Sequence, residues 1–76
     1  LRKSEVTEML NELDDREQQI LIRRFGLDPQ REPQTLQQVG VEMGVTKERV
    51  RQIQAKALKK LRLNADERHL ELIEDD

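Results

Sequence analysis

Two helical patterns that meet at a glycine constrain the fold of this chain more than any other feature of its sequence. Apolar residues at helical spacing predict a short helix over 36–43 and a long helix that begins at Lys47. Gly44 lies between the two, where a tight turn needs a residue that tolerates positive φ. Gly40 lies where two steeply crossing helices would come closest, and it leaves room for that contact. The segment 36–55 therefore predicts a helix-turn-helix.

The apolar side chains of these two helices are spaced so that they would face each other across the turn. They are Val39, Met43, Val45, Val50 and Ile53. At about 100° per residue, Glu48 and Gln52 project from the side of the long helix opposite Val50 and Ile53. We therefore expect the long helix to be anchored by an apolar stripe and to present a polar face to the outside.

Positive charge is concentrated in the long helix. The whole chain has a net charge of -2, whereas residues 47–62 carry seven basic side chains against Glu48 alone, a local charge of +6. The field of such a block acts over about a Debye length, so it matters more for binding than the total charge does. In a DNA major groove, Arg can pair with guanine, Gln with adenine and Glu with cytosine. The outer face of the long helix therefore predicts double-stranded DNA as a ligand.

Two plainer interpretations of the same helices stay open. A basic helix face can be an ordinary solvated surface, and some helix-turn-helix folds serve only to dock other proteins. The combination of the turn, the packing positions and the polar outer face favours DNA binding over both.

The remainder of the chain also shows helical spacing and no alternating strand pattern. It predicts an all-α fold, a small domain of four to five helices that spans residues 1–76. One helix is expected to follow Ser4 as its N-cap, and a second is expected between Asp14 and Gly26. Asp14 and Glu17 have the spacing of a capping box, in which each side chain accepts a backbone N–H of the other.

The long helix is expected to run to about Arg62, with Asn64 as the residue that terminates it. Residues 63–76 carry a charge of -5 and predict an acidic C-terminal tail or one further short helix.

Several functional classes are disfavoured by what the composition omits. The chain has no cysteine, which excludes disulfides, zinc–thiolate sites and a cysteine nucleophile and suits the cytoplasm. Its one aromatic residue, Phe25, disfavours the stacking platforms that bind single-stranded nucleic acid. No apolar run approaches the roughly 20 residues that cross a membrane, and no constellation of catalytic residues is present. We therefore expect a protein that is not an enzyme, needs no metal or other cofactor, and has no membrane partner.

Several segments resemble one family closely. These segments are Thr35-Leu36-Gln37-Gln38-Val39-Gly40, Val45-Thr46-Lys47-Glu48-Arg49-Val50-Arg51-Gln52-Ile53, Ala55-Lys56-Ala57-Leu58-Lys59-Lys60-Leu61-Arg62, Leu13-Asp14-Asp15-Arg16-Glu17 and Arg24-Phe25-Gly26-Leu27. Over residues 9–62 the chain is similar to region four of primary-type bacterial sigma factors of the sigma-70 family. That region recognises the promoter −35 element within RNA polymerase holoenzyme and directs transcription initiation.

The resemblance implies a role for each matching position. The base-edge readers would be Glu48, Arg51 and Gln52. The DNA-backbone contacts would be Arg16, Arg24, the amide of Leu36, Thr46, Lys47 and Arg49. The surface touched by transcription activators would be Lys56, Lys59, Lys60 and Arg62.

The resemblance also implies protein partners. An apolar groove between the first three helices, with Leu21 among its lining residues, would dock on the flap of the RNA polymerase β subunit. Anti-sigma proteins would occupy similar surfaces. Two alternatives remain: a stand-alone regulator that dimerises on palindromic DNA, and an adaptor that binds only proteins.

Overall fold

The computed structural model describes the backbone of residues 2–74 and the side chains of residues 2–65. Within that part, four α-helices and one 3-10 turn follow each other along the chain. They are α1 (Lys3–Met9), the 3-10 turn (Leu10–Glu12), α2 (Asp15–Phe25), α3 (Leu36–Met43) and α4 (Lys47–Glu74). The predicted all-α class is confirmed.

The start of α1 differs from the prediction. The helix begins at Lys3, with Arg2 at the N-cap position, so Ser4 lies inside the first turn and does not cap it. The carboxylate of Glu5 accepts the backbone N–H of Arg2 at 3.4 Å. The helix therefore starts two residues earlier than the sequence signal from Ser4 suggested.

The two ends of α2 match their sequence signals. Asp14 Oδ1 accepts the backbone N–H of Glu17 at 2.8 Å, and Glu17 Oε1 accepts the N–H of Asp14 at 3.2 Å. Gly26 ends the helix with φ +63°. A Cβ at Gly26 would lie 2.8 Å from the ring of Pro33, so the position needs glycine for space as well as for its backbone angle.

The core consists of two buried clusters that share α4. One joins α1, α2 and α4 through Val6, Met9, Leu13, Leu21, Ala57 and Leu61. The other joins α2, α3 and α4 through Ile20, Val39, Val50 and Ile53. Because adjacent residues of α2, Ile20 and Leu21, enter different clusters, α2 connects the N-terminal helix to the helix-turn-helix. Truncating either side chain to Ala should cost about 2–5 kcal/mol.

The predicted end of the long helix near Arg62 is wrong. α4 runs without interruption for 28 residues, about 42 Å at 1.5 Å per residue. The amide of Asn64 donates to Glu12 Oε2 at 3.1 Å, so Asn64 makes a tertiary contact and does not terminate the helix. The sequence after Gly44 contains neither Gly nor Pro to break it. Of the predicted tail, Asp75 and Asp76 lie outside the described residues.

Among the helices described, none is both long enough and apolar enough to span a membrane.

Candidate nucleic-acid interface

The turn between α3 and α4 depends on two glycines. Gly44 has φ +71° and ends α3 in the left-handed conformation. A Cβ on Gly40 would lie 2.7 Å from the carbonyl oxygen of Val45, closer than real Cβ atoms come. The carbonyl of Gly40 also accepts the N–H of Val45 at 2.9 Å. The two helices therefore cross where the sequence predicts, and a side chain at position 40 would push them apart.

The long helix presents the face that the sequence predicts. Val50 has no exposed surface and Ile53 is 6% exposed, so both anchor α4 against α2 and α3. The three side chains expected to read bases all point to solvent: Glu48, Arg51 and Gln52. The first turns of α4 thus carry a polar surface on a rigid, buried support.

The start of α4 is capped by a side chain that was also expected to lie near DNA. Thr46 Oγ1 accepts the backbone N–H of Arg49 at 3.1 Å, so the hydroxyl has a structural role whatever else it contacts. Lys47 and Arg49 are both exposed beside it. All three predicted backbone contacts of this segment are therefore accessible from one end of α4.

Two of the predicted base readers bind each other. Arg51 Nη2 donates to Glu48 Oε1 at 2.6 Å, and Arg51 Nε lies 3.0 Å from Glu48 Oε2. The hydrogen bonds from Arg51, together with its charge, lower the pKa of Glu48, and the carboxylate in turn raises the pKa of Arg51. Since both side chains are mostly exposed, this pair can be exchanged for contacts with another ligand.

Arg16 of α2 and residues on the outer face of α4 line the same surface depression. Its lining side chains come from the start of α2 and the middle of α4: Asp14, Arg16, Glu17, Arg49, Gln52, Ile53 and Lys56. Three cationic groups therefore line the same depression as Gln52, one of the expected base readers. The sequence alone could not show that Arg16 and Arg49, 33 positions apart, share one surface.

A second depression brings together three more of the predicted backbone contacts, Arg24, Leu36 and Lys47. It is lined by Arg24, Thr35, Leu36, Gln37 and Lys47. The first N–H groups of α3, including that of Leu36, have no acceptor within the helix. A helix N-terminus, a guanidinium and an ammonium group in one depression suit an anion such as a DNA phosphate.

The loop between α2 and α3 is held in place by Glu42. Its carboxylate accepts from Gln34 Nε2 at 2.9 Å and from the guanidinium of Arg23, and Arg31 Nη1 lies 3.9 Å away. The hydrogen bond from Gln34, with the charges of Arg23 and Arg31, keeps the pKa of Glu42 below its ordinary value. This network fixes the approach of the chain to the N-terminus of α3.

A family model described as "Sigma-70, region 4" matches residues 9–63 of the chain. The chain belongs to the sigma-70 region 4 family. Two similar proteins are the RNA polymerase sigma factors SigA of Listeria monocytogenes and of Listeria innocua, each 53% identical over 62 residues. The match covers 82% of this chain but only 16% of each relative, so the chain spans about a sixth of their length.

The four lysine and arginine residues expected to face activators in this region 4 domain differ in their exposure and in their contacts. Lys56, Lys59 and Arg62 are exposed. Lys60 instead binds Glu17, with its Nζ 2.9 Å from Glu17 Oε1, and Glu17 is only 3% exposed. The sequence around Glu17 predicted only helix capping. The contact with Lys60 could not be predicted, because Lys60 lies 43 positions further along the chain.

The expected place of Leu21 in an apolar docking groove is wrong. Leu21 has no exposed surface and belongs to the core shared by α1, α2 and α4. It cannot touch a partner while the domain is folded. Among the described residues, the large apolar side chains that are exposed are Val41, at 77%, and Leu63, at 55%.

Two glutamines with a role at the site were missed by sequence reasoning. Arg24 Nε donates to Gln54 Oε1 at 2.8 Å, and Arg24 Nη1 donates to the carbonyl oxygen of Gln34 at 2.6 Å. Neither glutamine stands in a motif that marks it as a partner of Arg24, and both contacts depend on the tertiary fold.

Proposed function

We propose that this region 4 domain recognises the −35 element of promoter DNA as part of a bacterial RNA polymerase holoenzyme and so directs transcription initiation. The observation that supports this most strongly is the exposed set Glu48, Arg51 and Gln52 on the first turns of α4, above the buried Val50 and Ile53. These side-chain types match the hydrogen-bonding groups of base edges in the major groove. The related proteins carry the name RNA polymerase sigma factor.

In this proposal α4 enters the major groove, and the two depressions hold the DNA backbone. Arg16 and Arg49 would contact phosphates from the first depression, and Arg24, the Leu36 amide and Lys47 from the second. About four phosphate contacts would give a log–log dependence of affinity on salt with a slope of about -3.6. In this role the domain would bind and position DNA and would catalyse no reaction.

Binding by the isolated domain should be weak, because its DNA interface is small. Docking on the β-subunit flap would supply the remaining affinity by making the DNA contact effectively intramolecular. Activators would touch Lys56, Lys59, Lys60 and Arg62, and anti-sigma proteins would compete for the same domain. The protein would act in the cytoplasm, where it would meet polymerase and promoter DNA.

The proposal can be tested by hydroxyl-radical footprinting of a polymerase holoenzyme reconstituted with a sigma factor that carries this domain. We expect protection of the −35 region with the wild type and reduced protection with Gln52→Ala. Gln19→Ala changes an exposed residue of α2 that lines neither depression, and it should leave the footprint intact. A wild-type footprint without −35 protection would contradict the proposal.

A further inference from the structure

The guanidinium of Arg24 is held by neutral oxygens. Its Nε–H donates to the amide oxygen of Gln54 at 2.8 Å, and Nη1 donates to the backbone carbonyl of Gln34 at 2.6 Å. Other arginines of the domain are paired differently: Arg23 binds the carboxylate of Glu42, and Arg51 binds that of Glu48. Arg24 therefore has a fixed orientation, and neither of these two partners cancels its charge.

Arg24 lines an open surface depression and keeps donors that its two protein contacts do not use. A guanidinium has five N–H groups, and the two contacts use one on Nε and one on Nη1. The depression also contains the N-terminal turn of α3 and the side chain of Lys47. A phosphate there would meet a guanidinium that is already oriented, so little side-chain freedom remains to be lost on binding.

We infer that Gln54 is a positioning residue that orients Arg24 towards a DNA phosphate and, because its amide is neutral, leaves the full charge of Arg24 available. This inference rests on the proposed function. Gln54 lies on α4, is half-buried beside Arg24, and is not proposed to contact a base or a phosphate itself. It acts only through Arg24.

The test compares charge-matched variants of a sigma factor that carries this domain, assembled into polymerase holoenzyme. Gln54→Glu keeps the side-chain shape and the contact with Arg24 but adds a negative charge to it. Gln19→Glu adds the same charge at an exposed position of α2 that lines neither depression. Arg24→Met removes the guanidinium. Affinity for a fluorescent promoter duplex is measured by anisotropy over a range of salt concentrations, after circular dichroism has confirmed that each variant is folded.

We expect Gln54→Glu and Arg24→Met each to lower the steepness of the salt dependence by about 0.9, the value of one phosphate contact. At 0.1 M salt this corresponds to about an eightfold loss of affinity. Gln19→Glu should leave the slope unchanged. Adding Gln54→Glu to Arg24→Met should lower the slope no further, because the partner through which Gln54 acts is gone.

A neutral variant separates orientation from charge. Gln54→Met removes the acceptor without adding charge. In this variant we expect the Nε–H of Arg24 to exchange faster with solvent, as measured by NMR. We also expect its affinity for the duplex to fall less than that of Gln54→Glu. The inference is overturned if Arg24→Met lowers the slope and Gln54→Glu does not. It is also overturned if Arg24→Met binds with the full slope. A wild-type holoenzyme with no preference for duplexes that contain a −35 element would instead overturn the proposed function.

Discussion

Two of the three side chains that would read DNA, Glu48 and Arg51, are hydrogen-bonded to each other. Arg51 holds the carboxylate of Glu48 through three donor–acceptor contacts of 2.6–3.1 Å. In the proposed complex, a base edge would compete with this exposed pair for the donors of Arg51 and the acceptors of Glu48. Specificity would then depend on how much better the correct base satisfies both groups than they satisfy each other.

Replacing Glu48 should relax specificity more than it weakens binding. Glu48→Ala removes an acceptor that can pair with cytosine, and it also frees Arg51 for other contacts. We expect discrimination at one base pair to fall by about 1–3 kcal/mol. Competition binding with duplexes that differ at single −35 positions measures this. Equal losses on matched and mismatched duplexes would reject a base-reading role for Glu48.

Lys60 and Lys59 are neighbours with different environments, and they form a matched pair for mutation. Lys60→Ala leaves the buried carboxylate of Glu17 without its cation, whereas Lys59 is exposed. We expect Lys60→Ala to lower the free energy of unfolding by about 1–3 kcal/mol, and Lys59→Ala to change it by less than about 0.5 kcal/mol. Urea unfolding measures both. Equal stabilities would mean that the contact with Glu17 contributes nothing.

At the scale of elements, the approach of α3 to α4 depends on the absence of a side chain at Gly40. Gly40→Ala would place a Cβ 2.7 Å from the carbonyl of Val45, which is backbone and cannot rotate away. We expect a loss of about 1–3 kcal/mol, even though Ala favours helix at most positions. Thermal unfolding against the wild type measures it. A variant of equal or greater stability would show that the helices can separate at no cost.

The loop before α3 should be sensitive to acid through Glu42. Its pKa is lower in the folded state than in the unfolded state, so its contacts stabilise the fold above the ordinary glutamate pKa. That contribution is lost as the pH falls through the lowered value. We expect the side-chain amide signals of Gln34 to shift in NMR spectra over that acidic range. In Glu42→Gln the shift should disappear, and its persistence would assign the effect to another group.

At the scale of the whole molecule, α4 contains two segments of opposite charge. Residues 47–62 carry +6 and residues 63–74 carry -3, and both belong to one continuous helix about 42 Å long. The structure's longest dimension is 47 Å, so α4 runs through most of it. The continuous helix thereby holds the acidic segment away from the first turns of α4, where DNA would bind.

Local signals made much of this fold predictable. Gly40, Gly44 and the reciprocal cap of Asp14 and Glu17 act over a few residues, so their spacing already specifies the turn and the start of α2. The helix-turn-helix and the outward face of α4 follow from the same short-range patterns. The resemblance to sigma region four then supplied the family.

The contacts that the sequence could not show join distant positions. Glu17 and Lys60 are 43 positions apart, and Arg24 and Gln54 are 30 apart. Helical spacing reports which face a residue occupies but not which side chain of another helix it meets. For the same reason, the apolar pattern of α2 could not distinguish a core residue from a groove residue at Leu21.

Site-specific crosslinking within the polymerase tests the central claim most directly. A photoreactive side chain at Gln52, in a holoenzyme assembled on promoter DNA, should crosslink to bases of the −35 element, while the same group at Gln19 should not. Crosslinks from both positions, or from Gln19 alone, would contradict an account in which the outer face of α4 reads the DNA.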